Sequence, residues 1–447
     1  MLHQKQIAKA ALVFSLFCNQ AFALSIDDSK HLLLRAGFAA QPDLMASVSG
    51  LSKSQSIDLL LNKSPKKMAV PECVLSKPPA RKVRKSMTKE ARRGLQKAQR
   101  ECINDFKPAY LAYLVQDEAI LTHQMTLFWH NLFTSSFRKV KSANLIYEQH
   151  NTLQQHALGN FAQLLNALVK DPAMLIYLDN VSNTKKRPNE NLARELLELF
   201  TLGEGNYSEQ DVVSAAKALT GLGVDRNTYQ QRFNAKRHDN SVKNIFGTLK
   251  INDADQLLNA ILSQAQSSRY LTERIWLHFI SKANDQQIER LAKGFAKDWN
   301  IKKLVRQVLL SDAFWQDQGQ MFKSPVELVV GSGKMFGGVK ITAKRMLRMA
   351  KQMGQNVFDP PNVKGWPTGS GWVDANTLIV RQQYSNQLIR ALRSDMRALN
   401  EKVCSMSFLK SLSAFELPKM QSMQSMNNDI CAQQLTQIIS DPKWQLK

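Results

Sequence analysis

"RPNENLARELLELFTLGEGNYSEQDV", Arg187 to Val212, carries the apolar periodicity that sets the fold class of this chain. At about 100° per residue, Leu192, Ala193, Leu196, Leu197, Leu199 and Phe200 gather on one side of a helix. Glu190, Asn191, Arg194, Glu195 and Glu198 fall within a ~140° arc on the other. Gly203 predicts a C-cap, and Ser208 with Asp211 predicts a capping box that launches a second helix. The polar arc is rich in carboxylates and has no lysine, in a chain with 60 Lys and Arg against 37 Asp and Glu. The i,i+4 pairs Glu190–Arg194 and Arg194–Glu198 stabilise a surface helix by only ~0.2–0.5 kcal/mol each. A solvated face and the wall of a site both account for such an arc.

The same punctuation recurs along the chain. "DDSKHLLLRAGF", "PAYLAYLVQDEAILTHQMTLFWHNLF", "SSRYLTERIWLHFIS", "DQQIERLAKGFAKDW" and "DANTLIVRQQYSNQLIRALRSDM" all read as helices, and no long stretch alternates as a half-buried strand does. The 447 residues are enough for a large core, and a 44% hydrophobic content with seven Trp excludes a disordered chain. "VDRNTYQQRFNAKRHDNSVKNIFG" lacks helical periodicity and predicts a small hairpin or an ordered loop. The expected fold is mostly α: a large multi-helix globular domain over residues 24–395 with short irregular or hairpin insertions. A C-terminal extension, 396–447, is lower in periodicity.

The first 23 residues carry the marks of a cleavable secretory signal: Lys5 and Lys9, an apolar run from Ala10 to Cys18, and the small-x-small site Ala21-Phe22-Ala23. The apolar run is about half of the ~20 residues that a membrane span needs. The expected location is therefore the periplasm or outside the cell, with no transmembrane segment once the signal is removed. Four cysteines then remain in an oxidising compartment, and the local pairings Cys73–Cys102 and Cys404–Cys431 are expected. The net charge of +23 falls to +21 with the loss of the two signal lysines. Its densest part is the helical run Lys77–Arg100. No aromatics are interleaved there for base stacking, which argues against nucleic acid and leaves an anionic envelope polymer, a lipid headgroup or plain solvent as its partner.

The motifs "HLLLRAGF", "MTLFWHNLF", "RPNENLARELLELFTLGEGNYSEQDV", "AAKALTG", "RHDNSVKNIFG", "KSPVELVVG", "MGQNVFDPPNVKGWPTGSGW" and "LIVRQQ" occur in this order between His31 and Arg390. Together they resemble the bacterial domain-of-unknown-function family 1800. The resemblance implies an exported bacterial protein without an established reaction. Such proteins are often encoded beside an exported family that resembles sulfatases, which is thereby an expected partner. The basic run Lys77–Arg100 looks like an insertion between the motif blocks.

Glu190 and Glu195 are candidate acid/base groups and Arg194 a positioning cation, with Asn189 and Asn191 beside them as binding groups. "FWHNLF" contributes His130 and Asn131 among bulky apolar neighbours, with His123 one heptad earlier. "RHDNSVK" contributes His238, Asp239 and Lys243 in a loop. A carboxylate-rich helix and two histidines could assemble a divalent-metal site for Ca, Mg, Mn or Zn, although no tight metal motif is present. The loop "PPNVKGWPTGSGW" presents Trp366 and Trp372, either as aromatic walls for a sugar ring or as plugs in the core. No Gly-x-Ser-x-Gly elbow, phosphate-binding loop or dinucleotide fingerprint occurs. The expected function is to act on or bind envelope polysaccharide in a cleft where these four segments converge. The alternative is a non-catalytic envelope scaffold, in which the same residues form a polar network that fixes helix packing.

Overall fold

In the computed structural model, which describes residues 23–247, 249–337, 341–394, 412 and 428–447, the Arg187–Val212 stretch folds as two helices divided at Gly203. Asn191–Leu197 is α-helical, Glu198–Leu202 widens into a π-turn, and Glu209–Ala218 restarts the helix. Leu192, Ala193, Leu196, Leu197 and Phe200 are buried as the apolar arc requires, and Leu199, inside the π-turn, is half-buried. The Leu196 carbonyl accepts the Thr201 hydroxyl, five residues on, at 2.5 Å. Tyr270 Oη donates to Leu199 O at 2.8 Å and Gln266 Nε2 to Leu202 O at 3.0 Å, so the helix Ala265–Phe279 takes up carbonyls that the helix end leaves open. Ser208 and Asp211 form the reciprocal capping box.

Helix accounts for 64% of the structure and strand for 5%. The strands form two hairpins in and just beyond the stretch without helical periodicity. Leu222–Val224 pairs antiparallel with Gln231–Phe233, and Lys243–Ile245 with Leu249–Ile251. At the centre, Trp129 lies against Phe161, Phe133 against Phe200, and the Trp129 indole donates to Ala157 O at 2.9 Å.

One expected helix is divided. The run from Pro108 to Phe133 breaks at Asp117, which ends the helix Lys89–Gln116 before Ile120–Leu132 begins. Asp117 stops the first helix because its carboxylate accepts Lys66 N, Ala119 N and the His123 ring, all within 2.9 Å. Pro108 sits inside the first of these helices rather than at its start.

The Cys73–Cys102 disulfide is formed and joins the two ends of the basic segment. Cys404 and the leader up to residue 22 lie outside the described residues. The last residues return to the body of the fold. Lys447 N donates to Met321 O at 2.8 Å and Lys323 N to Gln445 O at 2.8 Å. Among the described residues, no helix is long and apolar enough to cross a membrane.

Candidate functional site

A layer of charge lies inside this helical core. Glu327 stands at N3 of the helix Pro325–Met335, where the Ser324 capping box and the helix N-terminus both favour an anion. Its Oε2 accepts Ser324 N at 2.7 Å; its Oε1 accepts Gln124 Nε2 at 3.0 Å and pairs with Lys447 Nζ. Burial alone would push this carboxyl up, but the Lys447 charge and these hydrogen bonds outweigh it and hold it down to about 2. Behind it, the fully buried Arg35 pairs with Asp317 at 2.7 Å and donates to Phe279 O, Asp317 O and Lys447 O. Lys323 donates to Trp444 O at 2.8 Å, and Arg381 donates to Lys323 O at 2.9 Å. Burial pulls the Lys323 ammonium down to about 7.

Over this layer opens a cavity of about 120 Å³. Phe128, Leu277 and Trp372 form apolar walls; Gln124, Asn131, Arg274, His278, Glu327 and Lys447 bring polar groups to it. Burial, and then the nearby Lys447 charge, lower His278 to about 3, so its ring is neutral at ordinary pH. Its Nε2 is enclosed and has no hydrogen-bond partner among the described residues.

The Pro/Gly/Trp loop forms one lip of the cavity through Pro367, Thr368, Gly369 and Trp372. Asn131 holds this loop from the helix Ile120–Leu132: its Oδ1 accepts Trp366 N at 2.6 Å, and its Nδ2 donates to Trp366 O at 3.3 Å. Gly365, at φ +81°, makes that approach possible, because a Cβ there would lie 2.2 Å from Asn131 Oδ1. Trp366 itself packs on His130, ring centres 5.3 Å apart, with Phe358 on another side of the imidazole. His130 is enclosed, and burial lowers it to about 4.

The structure therefore brings Asn131 and Trp372 together at one cavity, whereas Trp366 is buried against His130 and does not line it. The helix arc has other neighbours. Arg194 donates twice to Glu209, at 2.8 and 2.7 Å, and once to Glu190 at 3.2 Å, tying the two helices across the Gly203 turn. Glu198 accepts Tyr207 Oη at 2.8 Å instead of pairing with Arg194. Asn189 donates to Ser182, and Asn191 donates to Asp179. Glu195 is half-buried. Burial and the adjacent Glu198 raise its proton affinity, against the opposing charges of Lys364 and Arg194.

In the hairpin region, His238 Nδ1 donates to Thr220 O at 2.7 Å, and its Nε2 lies 3.1 Å from Asn252 O. Lys243 donates to Asp239 O and Asn252 O, and Asp239 accepts Ser241 N and Oγ. These three residues shape the loop that leads into the second hairpin. Among the described residues no hydrogen bond joins them to Glu195 or His130, and no three His, Cys, Asp or Glu side chains converge in a metal-binding arrangement.

Sequence reasoning passed over Arg35, Gln124, Arg274, His278, Glu327 and Lys447. A signal was present for two of them. Arg35 interrupts the apolar run "HLLLRAGF", and Glu327 completes the capping pattern "SPVE" on a helix buried on every side. A charge in such a position requires a buried partner.

The chain belongs to the family described as "Protein of unknown function (DUF1800)", whose sequence model matches residues 31–446. That match extends past Arg390, where the recognisable motifs stop, and ends one residue before Lys447, which contacts Arg35 and Glu327. No curated protein and no solved structure matches the chain.

Proposed function

We propose that this family member is an exported protein that binds cell-envelope polysaccharide without cleaving it, holding one saccharide unit in the Trp372 cavity. The observation that carries this reading is the lining of the cavity, in which an indole and a phenyl ring face a small set of convergent hydrogen-bonding groups. Aromatic walls suit the apolar face of a sugar, while Gln124, Asn131 and Arg274 suit its hydroxyls and an anionic substituent. Binding is favoured over hydrolysis because glycoside cleavage ordinarily uses two carboxyl groups, one of them protonated. Among the described residues that line the cavity, Glu327 alone has a carboxyl side chain, and Lys447 holds it ionised. Export is part of the same proposal, and the Cys73–Cys102 disulfide supports it, since such bonds persist in oxidising compartments.

The test is calorimetric titration of the mature protein with oligosaccharide fragments of envelope polymers, beside a reducing-end assay. Saturable binding is expected, weakened about tenfold or more by Trp372→Ala or Asn131→Ala, a loss of roughly 1.4 kcal/mol or more. Absence of binding to every fragment overturns the proposal. Reducing ends released by the wild type but not by Glu195→Gln would replace binding with hydrolysis at the helix arc.

A further inference from the structure

We infer that the basic segment forms a second ligand site, a pocket for a phosphate ester. A cavity of about 370 Å³ is walled by Arg81, Arg84, Lys85, Arg92, Lys141 and Arg226, and no carboxylate among the described residues lines it. None of these six cations forms an ion pair with a described residue, whereas Arg194, Arg269, Arg306 and Lys139 all do. Six uncompensated charges around one concavity repel one another, and an anionic ligand is what would relieve that repulsion.

The pocket is built rather than draped. Arg92 donates to Arg84 O at 3.1 Å and to Lys85 O at 2.9 Å, fixing the end of the short helix Arg81–Ser86 against the start of Lys89–Gln116. Arg81 N donates to Arg226 O at 3.0 Å, which locks that helix to the first hairpin turn. In that turn Tyr229 adopts φ +57°, rare for a bulky residue, held by its N–H on Asp225 O at 2.7 Å and its hydroxyl on Pro79 O at 3.2 Å. So placed, its ring lies under the Arg84 guanidinium, 5.4 Å from the ring centre. Lys141 enters from a left-handed turn at φ +57°. The Cys73–Cys102 disulfide closes the segment at both ends.

Guanidinium forks match the paired oxygens of a phosphate, and arginine supplies four of the six cations. Single-stranded nucleic acid fits less well, because the nearby Tyr229 ring is already covered by Arg84. The volume lies within the range of small-ligand sites. A phosphorylated saccharide and a phospholipid headgroup present the same group, and the experiment separates them.

Full-length mature protein is titrated with glucose 1-phosphate in about 0.15 M salt, where long-range charge effects are screened. Saturable binding is expected. It should weaken about tenfold or more in Arg81→Gln/Arg226→Gln, with an unchanged melting temperature. Lys141→Asn, which tolerates the left-handed backbone, is a second variant should the first unfold. Vesicles containing phosphatidic acid that displace glucose 1-phosphate identify the lipid headgroup as the source; vesicles that do not displace it identify the soluble ester. The site is overturned by absence of saturable binding, by equal affinity in a folded variant, or by tighter binding of a single-stranded oligonucleotide. Trp372→Ala leaves this binding intact, so the two sites fail or stand separately.

Discussion

Glu327 and Lys447 show at the scale of single residues what the sequence conveys and what it withholds. The pattern "SPVE" announces a capped helix, and the structure supplies it through Ser324 and Glu327. The partner of that carboxylate lies 120 residues away, and no local spacing could point to it. The pair is buried on both sides, so its consequences are large and testable. The Glu327 carboxyl is held at about 2 against an ordinary value near 4.5. Because the folded value is the lower, the stabilisation is complete above the unfolded value and is lost as pH falls from about 4.5 towards 2. Burial pushes Lys447 the opposite way, towards losing its proton, and the net contribution of the pair is smaller than Glu327 alone would suggest. Removing one partner strands the other. Glu327→Gln is expected to cost roughly 3–5 kcal/mol in urea unfolding, and Glu327→Gln/Lys447→Met to recover most of that loss. A double variant no more stable than Glu327→Gln would show that the pair is not what the charge layer depends on.

At the scale of elements, the Arg187–Val212 stretch was legible in outline. The apolar arc, the stop at Gly203 and the capping box at Ser208 each follow from local rules, and each is present. The π-turn was not legible. It depends on Tyr270 and Gln266 from another helix taking the carbonyls at Leu199 and Leu202. It also changes the pairing read from a regular helix: Glu198 accepts Tyr207, and Arg194 crosses the turn to Glu209. The break at Asp117 has the same origin, since its carboxylate serves groups on two other segments. Gly203 is where local and tertiary demands coincide. Its φ is +84°, and a Cβ there would stand 3.0 Å from the Tyr270 ring. Gly203→Ala is therefore expected to destabilise the protein by about 1–3 kcal/mol from backbone strain and crowding together. Thermal unfolding measures this, and Gly205→Ala, at φ +80° with open space around its Cβ, separates the two contributions. Equal losses in the two variants would mean that the Tyr270 contact adds nothing.

For the whole molecule, folding assembles a cavity from segments that lie as far apart in sequence as Gln124 and Lys447. The motif blocks marked the segments, but which of them meet is decided by packing that no single block encodes. The same packing encloses the histidines, and this gives the molecule a predictable acid response. Burial lowers His31 and His130 to about 4, and His150 and His278 to about 3. The unfolded chain titrates its histidines near 6.5. Between about pH 6.5 and 4, the unfolded state therefore binds protons that the folded state refuses, and stability falls as pH falls. Each such group contributes a slope of up to about 1.4 kcal/mol per pH unit. Asp171 opposes them. Burial raises its carboxyl to about 7, so the folded protein gains a proton there as pH drops, which offsets about one histidine. The net expectation is a loss of roughly 4 kcal/mol per unit near pH 5, set against a typical domain stability of about 5–15 kcal/mol. Stability should thus fall steeply between about pH 6 and 4, mostly above the range in which Glu327 takes up a proton. Urea unfolding across this range measures the slope. His130→Leu, which removes an enclosed ring whose Nε2 has no partner among the described residues, should reduce the slope by about 1.4 kcal/mol per unit while shifting stability at pH 8 far less. A slope unchanged in that variant would mean that His130 accepts a proton inside the fold, and the cage of Phe358 and Trp366 around it would have to open to water.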